Sequence, residues 1–295
     1  MPLYASVDEL DFRLEDLPTC PLGDRVLVAD PAAFDVLSAD NPHMLDASGE
    51  LKRIDRELAR AQWRELIAVY ERLGLRVDVL PAASHLPDQV FCANPVLPVP
   101  LSPPRAVPAR MAHPGRQDEV PLAAAELERQ GYAIDEPLRA EGTGDGLWHP
   151  GRRLLWAGIG PRSEAAAWRE VEARYGVHIV NLNLVDPDFY HLDTCLAMLD
   201  ESACLFVPEA FDQRGLALIR TLFAKPLEAN TEEARTLLAG NAFCPDGRHV
   251  ILQRGCEETC RTLRSNGYEP IEVDTGEFLK SGGSVFCMKL FHGPV

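Results

Sequence analysis

Hydrophobic and polar positions alternate along the chain with two periods, one helical and one extended. The clearest helical pattern covers residues 50–73, where Leu66, Val69, Tyr70 and Leu73 share one face. Gly74 follows directly, and glycine is the residue that most often ends a helix. The same period predicts two further amphipathic helices, at residues 119–130 and 163–175.

Short β-type runs bounded by Pro, Gly and Asn lie between these helices and predict strands. They cover residues 25–29, 76–80, 153–157, 177–182, 195–199, 204–207, 249–253, 269–273 and 284–290. A hairpin turn is expected at residues 149–152, and the order hairpin, helix, strand recurs along the chain. The pattern predicts an α/β fold of repeated β-β-α-β units. No linker interrupts it, so we expect one domain over residues 1–295.

Charge and composition exclude several function classes. Hydrophobic residues make up 46% of the chain and charged residues 25%, which is typical of a globular protein. With 29 Lys+Arg against 45 Asp+Glu, the net charge is −16, which repels nucleic acid and anionic lipid. No apolar run resembles a signal or a membrane span, so we expect a cytoplasmic protein without nucleic-acid or membrane partners. Homo-oligomer formation stays open.

The eight cysteines have no paired C-x-x-C spacing, so they predict buried, reduced thiols. Cys256 and Cys260 lie one helical turn apart, but no second Cys or His pair accompanies them. Neither a nucleotide-binding glycine loop nor a complete metal-ligand set is present. We therefore expect no cofactor and no metal.

Cys287 is the first candidate for chemistry. It follows Gly282 and Gly283, which allow the backbone to turn tightly beside a small substrate, and a cysteine held as thiolate is a nucleophile. The alternative is that Cys287 is a small core residue of the C-terminal strand.

His191 and Asp193 lie two residues apart, so a strand would place an imidazole and a carboxylate on one face. The alternative is a strand-end histidine satisfied by its neighbour. Glu141 and Asp145 flank a glycine-rich turn where the backbone can approach a ligand, or where an acidic loop faces solvent. Carboxylates match the planar donors of a guanidinium, so the combined residues suggest thiolate attack on an amidine carbon, with the histidine as acid and base.

Five segments together resemble the guanidino-group-modifying enzymes of the pentein fold. They are PDQVFCAN at 87–94, EGTGD at 141–145, LWAGIGPR at 155–162, FYHLDT at 189–194 and GGSVFC at 282–287. The resemblance covers most of the chain and implies a five-bladed α/β propeller of β-β-α-β units around a central substrate tunnel.

The resemblance also implies roles for individual residues. Cys287 matches the nucleophile, His191 the general acid/base, and Glu141 the carboxylate that grips the guanidinium and orients the histidine. Asp193 matches a second guanidinium contact, and Asp145 a supporting acid.

Asn94 and Asn41 resemble the two asparagines of the arginine dihydrolase branch, which releases ornithine, ammonia and carbon dioxide. Dimethylarginine dimethylaminohydrolases and arginine deiminases, which stop at citrulline, usually have an acidic residue in place of Asn94. His43 and Pro161 depart from the pattern, because aromatic residues are common at both positions.

Arg162 and Arg110 resemble the arginines that hold the substrate's α-carboxylate. For both, surface ion pairs are the alternative, and Arg116 is a further candidate. The resemblance thus favours an arginine dihydrolase. The alternatives are a dimethylaminohydrolase or deiminase, an amidinotransferase, and a non-catalytic binding protein of the same fold.

Overall fold

The computed structural model describes residues 3–21 and 23–293. Its helices are α1 Arg56–Arg72, α2 Glu119–Arg129, α3 Gly142–Asp145, α4 Ala165–Tyr175, α5 Gln213–Leu222, α6 Thr231–Leu237, α7 Glu257–Ser265 and α8 Gly276–Leu279. Its strands are β1 Leu3–Tyr4, β2 Thr19–Cys20, β3 Arg25–Ala29, β4 Arg76–Leu80, β5 Val96–Val99, β6 Arg105–Pro108, β7 Ala133–Ile134, β8 Gly146–Trp148, β9 Gly151–Arg152, β10 Leu154–Ile159, β11 His178–Asn183, β12 Leu196–Asp200, β13 Ala203–Phe206, β14 Lys225–Glu228, β15 His249–Gln253, β16 Glu269–Val273 and β17 Leu290–His292.

One supersecondary unit recurs through the described residues: an antiparallel pair, then a helix, then a parallel strand. The parallel pairs are β3–β4, β6–β7, β10–β11, β13–β14 and β15–β16, with α1, α2, α4, α5 and α7 as their crossovers. Antiparallel partners are β17 for β3, β5 for β6, β8 for β10 and β12 for β13. In the last unit, a single antiparallel bridge between Phe243 and Ile251 takes the place of the antiparallel strand. The predicted β-β-α-β order is therefore confirmed.

The chain's last strand belongs to its first unit, because β17 pairs antiparallel with β3. Apart from these units, β1 extends the β10–β11 sheet and β2 forms a small ribbon with β9. Among the described residues, no helix is long and apolar enough to cross a bilayer.

Helix α1 shows why the local pattern succeeds. Asp55 caps its N-terminus by accepting hydrogen bonds from the backbone amides of Glu57 and Leu58, each at 3.0 Å. Leu66 and Tyr70 bury one face completely, as the spacing predicts. The helix begins at Arg56, six residues after the predicted start, because the preceding segment pairs as a bridge between Leu45 and Leu51.

The predicted C-terminal strand is wrong. Residues 284–290 do not form a strand, and only Leu290 of them enters β17. The backbone amides of Ser284, Phe286 and Cys287 donate to the side-chain oxygen of Asn241 instead of to a neighbouring strand. A side chain from a distant loop has replaced the sheet ladder, which no local pattern reveals.

Candidate active site

A small cavity collects most of the residues singled out from the sequence. Its lining consists of Asp40, Asn41, Met44, Asp88, Phe91, Asn94, Arg116, Arg162, Tyr190, His191, Ser281, Gly283 and Cys287. Cys287 and His191, nearly a hundred residues apart in sequence, therefore face one cavity. Their carboxylate neighbours Asp193 and Glu141 lie fully buried behind them.

The segment before Cys287 turns as its glycines suggest. Gly282 has a φ of +82°, which favours glycine, and its carbonyl accepts a hydrogen bond from the Tyr190 hydroxyl at 2.7 Å. A Cβ on Gly283 would stand 2.2 Å from the Phe91 ring. The close contact with Phe91 thus fixes the backbone path that presents Cys287 to the cavity.

Cys287 is held between a carboxylate and an amide. Its Sγ donates to Asp193 Oδ2 at 3.3 Å and accepts from Asn241 Nδ2 at 3.1 Å. Burial, together with the charge of Asp193, raises the pKa of the Cys287 thiol well above its usual range. Burial also raises the pKa of Asp193 to about 7, and Oδ1 of Asp193 has no hydrogen-bond partner among the described residues. Among the described residues no Lys or Arg forms an ion pair with Asp193, but the charge of the buried Lys289 acts on Asp193 and opposes the rise in its pKa.

His191 pairs with Glu141 rather than with Asp193. Its Nε2 lies 2.7 Å from Glu141 Oε2, and both side chains are buried. Burial alone would raise the pKa of Glu141, but the hydrogen bond and charge of His191, with the charge of Arg162, lower it to about 2. The predicted strand through His191 and Asp193 is wrong, because Leu192–Thr194 forms a 3-10 turn that begins after His191.

Asp145 supports this arrangement from α3. It accepts hydrogen bonds from the Ser163 hydroxyl at 2.5 Å and from the backbone amide of Leu192 at 3.0 Å. Burial raises the pKa of Asp145 to about 6. Asp145 therefore fixes the backbone next to His191 and does not line the cavity.

Asn94 is oriented by an arginine. Arg116 donates from one guanidinium nitrogen to Asn94 Oδ1 at 3.0 Å and forms a bidentate ion pair with Glu119. Arginine carries only donors, so the Asn94 amide must present its oxygen to Arg116 and its nitrogen elsewhere. That nitrogen, Nδ2, is buried without a partner among the described residues.

Arg162 and Asn41 lie on the other wall. Arg162 is buried, donates to the Asp40 carbonyl at 2.9 Å and lies 5.0 Å from the centre of the Tyr190 ring. Asn41 donates from Nδ2 to the Ser281 carbonyl at 3.0 Å. Asn41 thereby holds the loop that leads to Cys287.

Arg110 is not brought together with these groups. It is exposed and lines a separate surface depression beside Arg139 and Glu164. Its backbone follows β6, and its amide donates to the Leu138 carbonyl. This placement gives no support to a role in binding substrate.

Two residues at the site were missed from the sequence. Asn241 contacts Cys287, and Asp88 lines the cavity and accepts a hydrogen bond from Ser281 at 3.1 Å. Asp88 falls within the segment 87–94 that carried the resemblance, so a signal existed for it. Asn241 follows Gly240 in a loop without regular pattern, and only the fold places it there.

The groups at this site favour catalysis by a nucleophilic thiol. Among the residues that the structure describes, no cluster of three or more His, Cys, Asp or Glu side chains is placed to hold a metal ion. The cavity offers a thiol, an imidazole paired with a carboxylate, and a second carboxylate that lacks a cation. These groups suit attack on a positively charged carbon centre.

Comparison with known proteins gives consistent matches. The family model described as eukaryotic N,N-dimethylarginine dimethylhydrolase matches residues 30–291. A dimethylarginine dimethylaminohydrolase of Mycobacterium tuberculosis is 37% identical over 267 residues, which cover 90% of this chain and 85% of that protein.

Arginine dihydrolases match as well. The bifunctional arginine dihydrolase/ornithine cyclodeaminase ArgZ of Synechocystis is 32% identical over 90% of this chain, which corresponds to 37% of that longer protein. A crystal structure of the N-terminal domain of a mutant of ArgZ, an arginine dihydrolase of cyanobacteria, bound to substrate, has a TM-score of 0.84 and 31% identity. It covers 91% of this chain, and the match spans 98% of that domain.

Proposed function

Because the chain belongs to the dimethylarginine dimethylaminohydrolase family, whose members hydrolyse carbon–nitrogen bonds of guanidino groups, we propose that it is an arginine dihydrolase. The substrate is free arginine, and the products are ornithine, ammonia and carbon dioxide. We propose further that the five β-β-α-β units form one catalytic domain, a propeller whose axis passes through the cavity. The pairing of β17 with β3 supports such closure.

The orientation of the Asn94 amide is the observation that favours a second hydrolysis, that of the ureido group. Its oxygen is occupied by Arg116, so its unpaired Nδ2 is the group left for a ligand. An N–H donor matches the carbonyl oxygen of the ureido group that the first hydrolysis creates. An aspartate in its place would present a second carboxylate, which repels that oxygen. Asn94 therefore favours retention of the ureido group for another attack.

In the first half-reaction, the guanidinium binds against the unpaired oxygen of Asp193 and supplies the missing positive charge. This charge lowers the pKa of Cys287, which loses its proton to water while Asp193 stays ionised against the guanidinium. The thiolate then attacks the guanidinium carbon. His191, protonated and held by Glu141, gives its proton to the leaving nitrogen, and ammonia departs.

Hydrolysis of the thiouronium restores the enzyme. Neutral His191 takes a proton from water as the water oxygen attacks the carbon, and the carbon–sulfur bond breaks to leave a ureido group. In the second round Cys287 attacks this carbon while Asn94 donates to its oxygen, and a second ammonia departs. Water then releases a carbamate, which loses carbon dioxide to leave ornithine.

The remaining residues bind the rest of the substrate. Arg162 is the buried cation at the cavity wall, so it holds the α-carboxylate. Asn41 fixes the loop that carries Ser281, and Asp145 fixes the backbone beside His191. Arg110 contributes only if its surface loop approaches the cavity when substrate binds.

A dimethylarginine dimethylaminohydrolase is the second candidate. The 37% identity to the mycobacterial enzyme of that name favours it. This activity needs the same thiol, imidazole and carboxylates but no second attack. It would release citrulline and an alkylamine.

Product identification separates the two activities. The protein is incubated with arginine, with dimethylarginine and with citrulline, and the products are identified by mass spectrometry, with Cys287→Ser as the inactive control. We expect ornithine from arginine without release of citrulline. Citrulline as the final product would contradict the dihydrolase assignment.

Asn94→Asp tests the residue that carries the proposal. We expect it to shift the product from ornithine toward citrulline. Asn230→Asp is the matched control, because Asn230 caps α6 and aspartate caps a helix equally well. Unchanged ornithine formation by Asn94→Asp would count against the role given to this amide.

A further inference from the structure

A second cavity, of about 180 Å³, lies apart from the catalytic one. Most of its lining is apolar and includes Pro98, Leu101, Leu147, Trp148, Phe286 and Phe291. Neighbouring residues of one segment serve the two cavities, because Cys287 lines the catalytic cavity while Phe286 and Lys289 line this one. The proposed reaction uses none of these lining residues.

Lys289 is the unusual residue of this cavity. Its side chain is 0% exposed, and its Nζ has no hydrogen-bond partner among the described residues. The rings of Phe286 and Phe243 lie against Nζ, with centroids at 3.0 and 4.5 Å. Buried amines are almost always paired, because an unpaired one loses its hydration without compensation. A missing acceptor is therefore the simplest account of this amine.

The charged residues of the cavity lining indicate which kind of acceptor would pair with this amine. Within the described part of the chain, Lys289 is the sole Lys, Arg, Asp or Glu that lines this cavity. The Nε2 atom of His292, also in the lining, is likewise buried and unpaired. One basic amine in an apolar enclosure is complementary to one negative charge on an apolar body.

The volume of the cavity limits the size of the ligand. An apolar protein cavity of about 150 Å³ is known to hold benzene. A cavity of about 180 Å³ therefore has room for one such ring with a carboxylate attached. We propose that this cavity binds a small apolar monocarboxylate of about the size of benzoate, whose carboxylate pairs with the ammonium group of Lys289.

The proposed ligand differs from the substrate in charge. Lys289 repels a guanidinium, and the apolar lining offers no carboxylate to hold one. The site is thus separate from the guanidine site and does not depend on the product of the proposed reaction. Burial lowers the pKa of Lys289 well below its ordinary range, and a carboxylate beside Nζ would raise it again. Binding of the anion should then take up a proton.

The test is calorimetric titration of the full chain with benzoate. The Cys287→Ser variant saturated with arginine is used, because benzoate could otherwise occupy Arg162 of the catalytic cavity. We expect benzoate to bind with arginine present. We expect Lys289→Met, which keeps the length of the side chain, to weaken binding about tenfold or more, since a hydrogen bond to a charged group is lost. Lys225→Met, at an exposed lysine, should leave it unchanged.

A second measurement needs no variant of Lys289. Benzyl alcohol has the same ring without the charge, so it should bind at least about tenfold more weakly than benzoate. Titration in buffers of different ionisation enthalpy should show uptake of protons with benzoate. The proposal is overturned if arginine displaces benzoate, if Lys289→Met binds it equally well, or if benzyl alcohol binds as tightly.

Discussion

Replacement of Asn241 by alanine should damage both the stability and the chemistry of the site. The Asn241 side chain accepts from the backbone amides of Ser284, Phe286 and Cys287 at 3.1–3.2 Å. Its Nδ2 donates to the Asp193 carbonyl at 2.8 Å and to Cys287 Sγ at 3.1 Å. One buried amide thus connects Asp193 and Cys287.

The cost can be worked out from these bonds. The amide of Phe286 keeps a second acceptor, the Asn241 carbonyl at 3.2 Å. Among the backbone amides, alanine therefore leaves those of Ser284 and Cys287 without a partner, and it also removes the donor to the Asp193 carbonyl. An unsatisfied buried amide costs about 1–3 kcal/mol, which gives about 2–6 kcal/mol for the two. A water molecule in the vacated space offsets part of this, so we expect about 3 kcal/mol. For 295 residues at about 2.1 cal/mol/K each, that is a fall in Tm of roughly 5 °C.

Thermal unfolding and thiol alkylation measure the two effects. The Asn241→Ala variant should melt at the lower temperature, and Cys287 should react more slowly with a haloacetamidine because its thiolate has lost a donor. Asn183→Ala is the control, because Asn183 is exposed and makes one hydrogen bond to Asp212. A Tm within about 2 °C of the parent, together with unchanged alkylation, would refute the reasoning, since about 3 kcal/mol shifts the midpoint further.

Two further variants test the neighbouring groups. Glu141→Gln should lower kcat by about 10²–10⁴, because His191 loses the carboxylate that holds its proton, and steady-state kinetics across pH would measure this. The depressed pKa of Glu141 stabilises the folded parent by about 3 kcal/mol. This stabilisation is complete above pH 4.5 and is lost as the pH falls to about 2. The difference in unfolding free energy between the parent and Glu141→Gln should therefore shrink over that window. Gly144→Ala would place a Cβ 2.2 Å from Asn94 Nδ2, so we expect citrulline to appear among the products and stability to fall by about 1–3 kcal/mol. Gly115→Ala, where no atom lies within 4 Å, should leave products and stability unchanged.

Local pattern predicted three helices, α1, α2 and α4, and eight of the strands that the structure describes, because these segments are locally encoded. The strands Arg25–Ala29, Arg76–Leu80, His249–Gln253 and Glu269–Val273 have the predicted bounds. The hairpin at 149–152 is confirmed by the antiparallel pairing of β8 with β10. In these segments the residues that form the pattern also form the contacts.

The failures occur where a distant side chain replaces a backbone partner. Residues 284–290 have the alternation of a strand, but Asn241 takes their amides. His191 and Asp193 were expected on one strand face, yet a 3-10 turn separates them, and His191 pairs with Glu141 while Asp193 meets Cys287. Several candidate residues named from the sequence line one cavity, but their pairing depends on tertiary contacts that spacing does not encode.

The pKa values of the two buried carboxylates, Glu141 and Asp193, show the effect of these side-chain contacts. Both are buried, yet the pKa of Glu141 is about 2 and that of Asp193 about 7. Glu141 lies 2.7 Å from His191 Nε2 and 3.7 Å from Arg162, whereas the Asp193 side chain contacts the Cys287 thiol and forms no ion pair among the described residues. An acid whose pKa burial has raised gains most when a ligand brings the missing positive charge. Glu141 is therefore a charged partner for His191, whereas a cationic ligand beside Asp193 would lower the pKa of both Asp193 and Cys287. Under the proposed function the bound guanidinium is that cation, so its binding favours the thiolate form of Cys287.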